Sequence, residues 1–263
     1  MRILATDLDR TLLPNGSWPA DPDAIGLFND LTQEHDVLVV YVTGRNLHLT
    51  ESAISEFGIR YPDVLIGDVG TSIRKYEQDG WKHYDGWDTH VQRNSPRWDA
   101  EAVRSAVAGL DGLTEQEREH CGAFKQSYYV DHDRNEAILQ TVDERVKDKF
   151  DEVIVYSFDS QTGKGLLDFL PRSATKQTAL EYLADKLGAN KSDVVFCGDS
   201  GNDIFPLTAG FSGVLVRNAD QQLVTSVMQA TESHPEIEIY HAKGGFKGLN
   251  GFYTSGVIEG AYH

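Results

Sequence analysis

Residues 37–42 read Val-Leu-Val-Val-Tyr-Val, six apolar positions with no polar interruption. A strand with one wet face alternates polar and apolar residues. A strand without alternation is buried on both faces, as in parallel sheets covered by helices on each side. The flanks fit that arrangement. Residues 21–35 place Ile25, Phe28 and Leu31 at helical spacing behind Pro22, and residues 46–57 read as a helix stopped at Gly58. Shorter apolar runs at 2–6, 64–66, 193–197, 213–216 and 237–240 are the other expected strands, with helices expected at 175–187, 202–208 and 220–228. Strand and helix alternating in this way predict an α/β fold with a parallel sheet.

The alternation is interrupted. Residues 71–98 hold Trp81, Trp87 and Trp98 and read as short strands and turns. A helix at 98–110, a strand at 124–130, a helix at 134–150, a strand at 153–158, a Gly-containing turn at 161–165 and a strand at 166–170 follow. That order is α+β in character. The economical division is a discontinuous core, residues 1–80 and 168–263, with a smaller α+β domain at 81–167 inserted between its halves.

Composition narrows the function. Among 263 residues, 41 Asp and Glu face 24 Lys and Arg, a formal net charge of −17. Binding to nucleic acid or to an anionic membrane surface needs clustered cations, so neither is expected. Cys121 and Cys197 are too few for a disulfide framework and lie in no zinc-ligand spacing; Cys197 ends an apolar run and reads as a buried, inert thiol. No apolar run is long enough to span a membrane, and residues 1–8 read as a strand rather than a secretory signal, so the expected location is cytoplasmic.

Four polar clusters follow the expected strands or open a helix. Asp7-Leu8-Asp9-Arg10-Thr11 follows the first strand. Ligands of open α/β sheets bind beyond the carboxyl ends of the strands. Two carboxylates spaced by one residue can approach one site there, one as nucleophile and the other handling a proton. In isolation Asp and Thr equally cap a turn. Thr43-Gly44-Arg45 follows the run at 37–42 and offers a hydroxyl and backbone N–H groups to an oxyanion, or forms a plain turn. Lys176 sits near a helix start, where a cation opposes the helix dipole. Gly198-Asp199-Ser200-Gly201-Asn202-Asp203 supplies carboxylates at another strand end, suited to Mg²⁺ or to a turn and N-cap. Turn chemistry alone does not account for four such clusters in this order.

Asp7-x-Asp9-x-Thr11, Thr43, Lys176 and Gly198-Asp199-x-x-x-Asp203 together resemble the four motifs of the haloacid dehalogenase-like (HAD) phosphatases, and the insertion resembles the α+β cap of their Cof-type subgroup. Residues 43–45, 69–71, 124–131, 197–203, 216–219 and 241–243 are similar to the sucrose-6-phosphate phosphatases within that superfamily. The resemblance implies a Rossmann-like HAD core with a cap. It also implies hydrolysis of sucrose 6-phosphate through an aspartyl-phosphate, with Asp7 as nucleophile and Asp9 as acid and base. Thr43 and Lys176 would hold the phosphoryl group, and Mg²⁺ would be bound by Asp7, Asp9, Asp199 and Asp203. Gly44, Arg45, Gly70, Thr71, Lys125, Asn202 and Asn218 would contact the substrate, and residues 241–243 would close a loop beside it. A mannosylfructose-phosphate phosphatase, a sugar phosphomutase and an inert sugar-phosphate binder are the competing readings; Asp9 argues against the last, because a binder has no use for an acid/base group. Association with a sucrose-phosphate synthase is left open by the residues.

Overall fold

The computed structural model describes residues 1–159 and 163–263. The chain divides into two compact units, Met1–Tyr84 with Lys176–His263, and Asp85–Thr175.

The first unit opens with β1 (Ile3–Thr6), α1 (Ala24–Glu34), β2 (Leu38–Val42), α2 (Leu47–Phe57) and β3 (Val64–Gly67). α2 begins where the Asn46 side chain accepts the Leu49 N–H at 2.9 Å and ends at Gly58, whose φ of 68° a side chain would strain. An antiparallel hairpin, β4 (Ser72–Glu77) and β5 (Gly80–His83), then pairs against β3. Trp81 on this hairpin joins Tyr61 and Tyr76 in an aromatic cluster, the two tyrosines stacked 4.2 Å apart.

The second unit contains α3 (Trp87–Asn94), α4 (Ala100–Val107), β6 (Leu113–Glu115), β7 (Gln126–Val130), α5 (Asn135–Val146), β8 (Glu152–Asp159) and β9 (Lys164–Pro171). Its sheet has the order β6-β7-β9-β8, antiparallel throughout. Val103, Val107, Ile138, Val142 and Val146 of the helices bury against Tyr128, Val130, Leu167 and Phe169 of the strands. Two elements here escape a reading by periodicity. The short strands expected within 71–98 are β4 and β5, but residues 87–94 form α3, which periodicity does not announce because only Trp87 and Val91, one turn apart, anchor it. β6 is three residues long and exists through its pairing with β7. Residues 161 and 162 of the turn expected at 161–165 lie outside the described residues, while Lys164 and Gly165 already belong to β9, paired with β8.

The chain returns to the first unit through α6 (Lys176–Leu187), β10 (Val194–Gly198), α7 (Ile204–Leu207), β11 (Ser212–Leu215), α8 (Gln221–Ser233), β12 (Ile239–His241) and α9 (Thr254–Tyr262). The complete sheet runs β12-β11-β10-β1-β2-β3-β4-β5, parallel from β12 to β3 and antiparallel over the last two strands. Val39, Val40, Tyr41 and Val42 of β2 are fully buried, as a strand covered on both faces requires. Cys197 is likewise fully buried, and burial pushes its thiol well above the ordinary range. The parallel register sets Thr6 beside Tyr41 on one side and Cys197 on the other. β1, β2 and β10 therefore finish side by side, and the residues that follow them, Asp7, Thr43 and Asp199, come to one end of the sheet. No helix among the described residues is long and apolar enough to cross a membrane.

Candidate active site

Asp7 leaves β1 with its N–H bonded to the Cys197 carbonyl at 2.9 Å, which extends the strand pairing one residue into the site. Its side chain is 6% exposed. Oδ1 accepts the Leu8 N–H at 2.8 Å and lies 3.1 Å from the Lys176 ammonium. Lys176, the first residue of α6 and 2% exposed, also reaches Asp203 Oδ1 at 2.9 Å and Asn202 Oδ1 at 3.2 Å. Its place at a helix start, puzzling from the dipole alone, is explained by two buried carboxylates facing it. Asp203 Oδ2 accepts the N–H groups of Asp199 and Ser200 at 3.0 and 3.2 Å, which ties the loop after β10 into a tight turn. Gly198 is required by that turn: a Cβ there would lie 2.6 Å from the Cβ of Asp203.

Asp7, Asp199 and Asp203 are all buried, and one carboxylate oxygen from each lies within 4.8 Å of the others. The electrostatics of the cluster are unbalanced without a further cation. Burial raises the Asp7 carboxyl well above the usual range; Lys176 opposes the rise while Asp203, Asp199 and Asp9 add to it. Burial likewise raises Asp199, opposed by Arg10 and reinforced by Asp203, from an ordinary value near 3.8 to about 7. Burial would strip the proton from Lys176, but Asp203 and Asp7 outweigh it and keep the ammonium charged. Three hard oxygen ligands converging with too little positive charge are the donor set that Mg²⁺ takes, so the residues fit such an ion.

Asp9 is placed differently. Its carboxylate receives Arg45 as a fork, Nε to Oδ2 at 2.8 Å and Nη2 to Oδ1 at 2.6 Å, and Asn15 adds a bond to Oδ1 at 2.6 Å. Burial alone would raise this carboxyl; the bonds and charge of Arg45, with Asn15 and Lys176, hold it below the usual range. Asp9 is therefore ionised in this state. Thr43 is fully buried, and its hydroxyl accepts the Arg45 N–H at 3.1 Å, so Thr43-Gly44-Arg45 forms one turn over the end of β2. Gly70 and Thr71 are buried at the end of β3, where Thr71 donates to the Asp68 carbonyl at 2.9 Å. Gly70 has a φ of 106°, closed to other residues without strain. Asn218 is committed at both ends of its amide, donating to the Arg10 carbonyl at 2.6 Å and accepting the Tyr253 N–H at 2.9 Å. It ties loops together in this structure. Lys125 belongs to the second unit, where it is 6% exposed and 3.6 Å from Asp168.

Four residues of the site carry no role in the sequence reading. Arg10 bonds Asp199 Oδ2 through Nε at 2.8 Å and Asp220 Oδ1 through Nη2 at 2.8 Å. Thr11 donates to Asp199 Oδ1 at 2.9 Å. Asn15 bridges Asp9 and the Arg10 N–H. A cation placed directly after the two acids of the first motif was the available signal for Arg10; Asp220 and Asn15 had none.

The raised carboxyls set a pH dependence. Asp199 binds its proton more tightly folded than unfolded, so stability falls as pH rises from near 4 through about 7. Metal-free protein is expected to gain about 2 kcal/mol between pH 7 and pH 5 from this group. Thermal denaturation in EDTA against pH checks it; the gain should disappear in Asp199→Asn, and equal slopes for the two proteins would refute the assignment.

The family model for sucrose-6F-phosphate phosphohydrolase matches residues 1–263. A HAD-like hydrolase of Nitrosococcus oceani is 34% identical over 263 residues, covering 99% of this chain and 71% of its own. Sucrose-phosphatase 1 of Nicotiana tabacum is 31% identical over 254 residues, 91% of this chain; the chain spans 55% of that protein's length. The sucrose-phosphatase structure from Synechocystis sp. PCC6803, in complex with sucrose and phosphate, superposes with a TM-score of 0.80 over 100% of this chain and 98% of that one. At 24% identity that likeness speaks to the fold. With the whole length matched, the chain belongs to the sucrose-6F-phosphate phosphohydrolase family, sugar-phosphate phosphatases of the HAD type.

Proposed function

We infer that this chain hydrolyses sucrose 6-phosphate to sucrose and phosphate in two displacements at phosphorus. The observation that carries the reading is the buried group of Asp7, Lys176, Asp199 and Asp203 at the ends of β1 and β10, with the Asp9–Arg45 pair beside it. Asp7 Oδ1 is held by Leu8 and Lys176, which leaves Oδ2 to attack phosphorus in line with the departing sugar oxygen. Lys176 and the Thr43 hydroxyl hold the phosphoryl oxygens where negative charge gathers. Mg²⁺, held by Asp7, Asp199, Asp203 and the main chain of Asp9, would supply charge neutralisation for a phosphate dianion approaching these carboxylates.

Asp9 gives a proton to the sugar oxygen as the phosphorus–oxygen bond breaks. It then takes a proton from the water that attacks the phosphoryl group on Asp7, releasing phosphate and restoring the carboxylate. An Asp9 locked to Arg45 is a carboxylate and has no proton to give. Arg45 therefore turns from Asp9 to the incoming phosphate, and burial then raises the proton affinity of the released carboxyl. Gly44, Gly70, Thr71 and Asn202 line the substrate's approach in this reading.

Phosphate release measured side by side on sucrose 6-phosphate, fructose 6-phosphate and mannosylfructose phosphate tests the assignment. Sucrose 6-phosphate should give the highest kcat/KM; preference for mannosylfructose phosphate would reassign the sugar. Interconversion of phosphate isomers without net release would make the chain a phosphomutase. Asp9→Asn should lower kcat by about 10² to 10⁴ while sparing substrate binding, and unchanged turnover would remove Asp9 from the chemistry.

A further inference from the structure

Three buried carboxylates are met by two cations of different kinds. Lys176 serves Asp7 and Asp203 and is 2% exposed, so it has nowhere else to go. Arg10 serves Asp199: Nε and Nη2 both reach Oδ2, at 2.8 and 2.7 Å, while Thr11 takes Oδ1. The Arg10 side chain is 23% exposed, and Nη2 also lies 2.8 Å from Asp220, itself 49% exposed. A guanidinium leaving Asp199 thus has a second carboxylate to rest on at the surface. Its backbone is not free. Arg10 has a φ of 57°, with its N–H held by Asn15 at 2.8 Å and its carbonyl by Asn218 at 2.6 Å. Only the side chain can move.

We propose that Arg10 is a displaceable internal counter-ion that competes with the divalent cation for Asp199 and so weakens metal binding. The proposal rests on the reading of Asp7, Asp199 and Asp203 as the metal ligands. A guanidinium on Asp199 occupies the oxygen a hard cation would take and repels a second positive charge brought to the same cluster. Binding of the metal then requires Arg10 to withdraw toward Asp220, and the site fills only when free cation is abundant enough to offset that exchange. A residue that merely holds Asp199 in position for the metal predicts the opposite sign, because its loss would weaken binding.

Isothermal titration of Mg²⁺ into metal-free wild-type, Arg10→Gln and Arg10→Lys proteins separates these cases without reference to turnover, with folding checked by circular dichroism. Arg10→Gln removes the charge but keeps a hydrogen-bond donor, and should bind Mg²⁺ at least about tenfold tighter than wild type. Arg10→Lys keeps the charge and should stay within about threefold of wild type. Equal or weaker binding by Arg10→Gln overturns the proposal, as does equal tightening in both variants. Asp199→Asn and Asp203→Asn report on the ligand assignment itself. If Mg²⁺ binds wild type and is lost in these two, the metal site stands whatever Arg10 does. If their affinity matches wild type, the site lies elsewhere and both readings fall.

Discussion

Asp7→Asn should reduce phosphate release by about 10⁴-fold or more while leaving the protein as stable as wild type or more so. The two halves of the expectation have separate causes. An amide nitrogen or neutral carbonyl oxygen cannot displace a sugar oxygen from phosphorus, so the nucleophile is removed outright. The amide oxygen still accepts from the Leu8 N–H and from Lys176, so the local bonds survive. Burial and the neighbouring acids already hold the Asp7 carboxyl well above its ordinary range, so its charge costs the folded state free energy, and Asn removes that cost. Paired measurements of turnover and of unfolding by denaturant check it. Turnover within tenfold of wild type would eliminate Asp7 as the nucleophile; a large loss of stability would mean the cluster is balanced in some other way.

Lys176→Met should be the opposite kind of variant, inactive and unstable. Methionine fills a similar volume, so the loss isolates charge rather than packing. The ammonium contacts Asp7 at 3.1 Å and Asp203 at 2.9 Å, and its removal leaves two buried carboxylates without the cation they share. Breaking a buried ion pair by deleting one member costs about 3 to 5 kcal/mol. Part of that loss should return in the double variant Lys176→Met with Asp203→Asn, which removes one of the stranded charges; double-mutant analysis of unfolding free energies measures the coupling. A Lys176→Met protein as stable as wild type would show that the carboxylates take up protons with little penalty.

The two results bear on how the site is built. Its charges are not individually stabilising. Each is tolerated because another stands within about 3 Å, and the arrangement is held by hydrogen bonds within the loops: Asp203 capping the turn after β10, Asn15 and Asn218 pinning the Arg10 main chain, Thr43 closing its own turn. These bonds fix the acids in place before any ligand arrives, the condition under which electrostatic stabilisation of a transition state is effective.

Much of this was legible in the chain. The unbroken apolar run at 37–42 required a strand covered on both faces, and β2 is that strand. Asp7, Thr43, Lys176, Asp199 and Asp203 could be chosen because each follows an apolar run or opens a helix, and a parallel sheet brings such positions to one end. α3 was not legible, since two buried anchors among polar residues make no periodic signal. Neither was β6, whose three residues become a strand only by pairing with β7.

Sequence by itself determined the layered class of the fold and the set of acids and cations at its strand ends, because apolar periodicity and motif spacing are properties of the chain alone. The pairing of those charges was decided only by the tertiary structure. Which cation meets which acid depends on distances between residues far apart in sequence: Arg10 with Asp199 and Asp220, Arg45 with Asp9, Lys176 with Asp7 and Asp203. Coulomb energies vary with those distances and with burial, neither of which is written in a motif. So Asp9, a proton donor by its place in the motif, stands as a carboxylate under Arg45, and Arg10, one unassigned letter after the two acids, holds the carboxylate a metal would need.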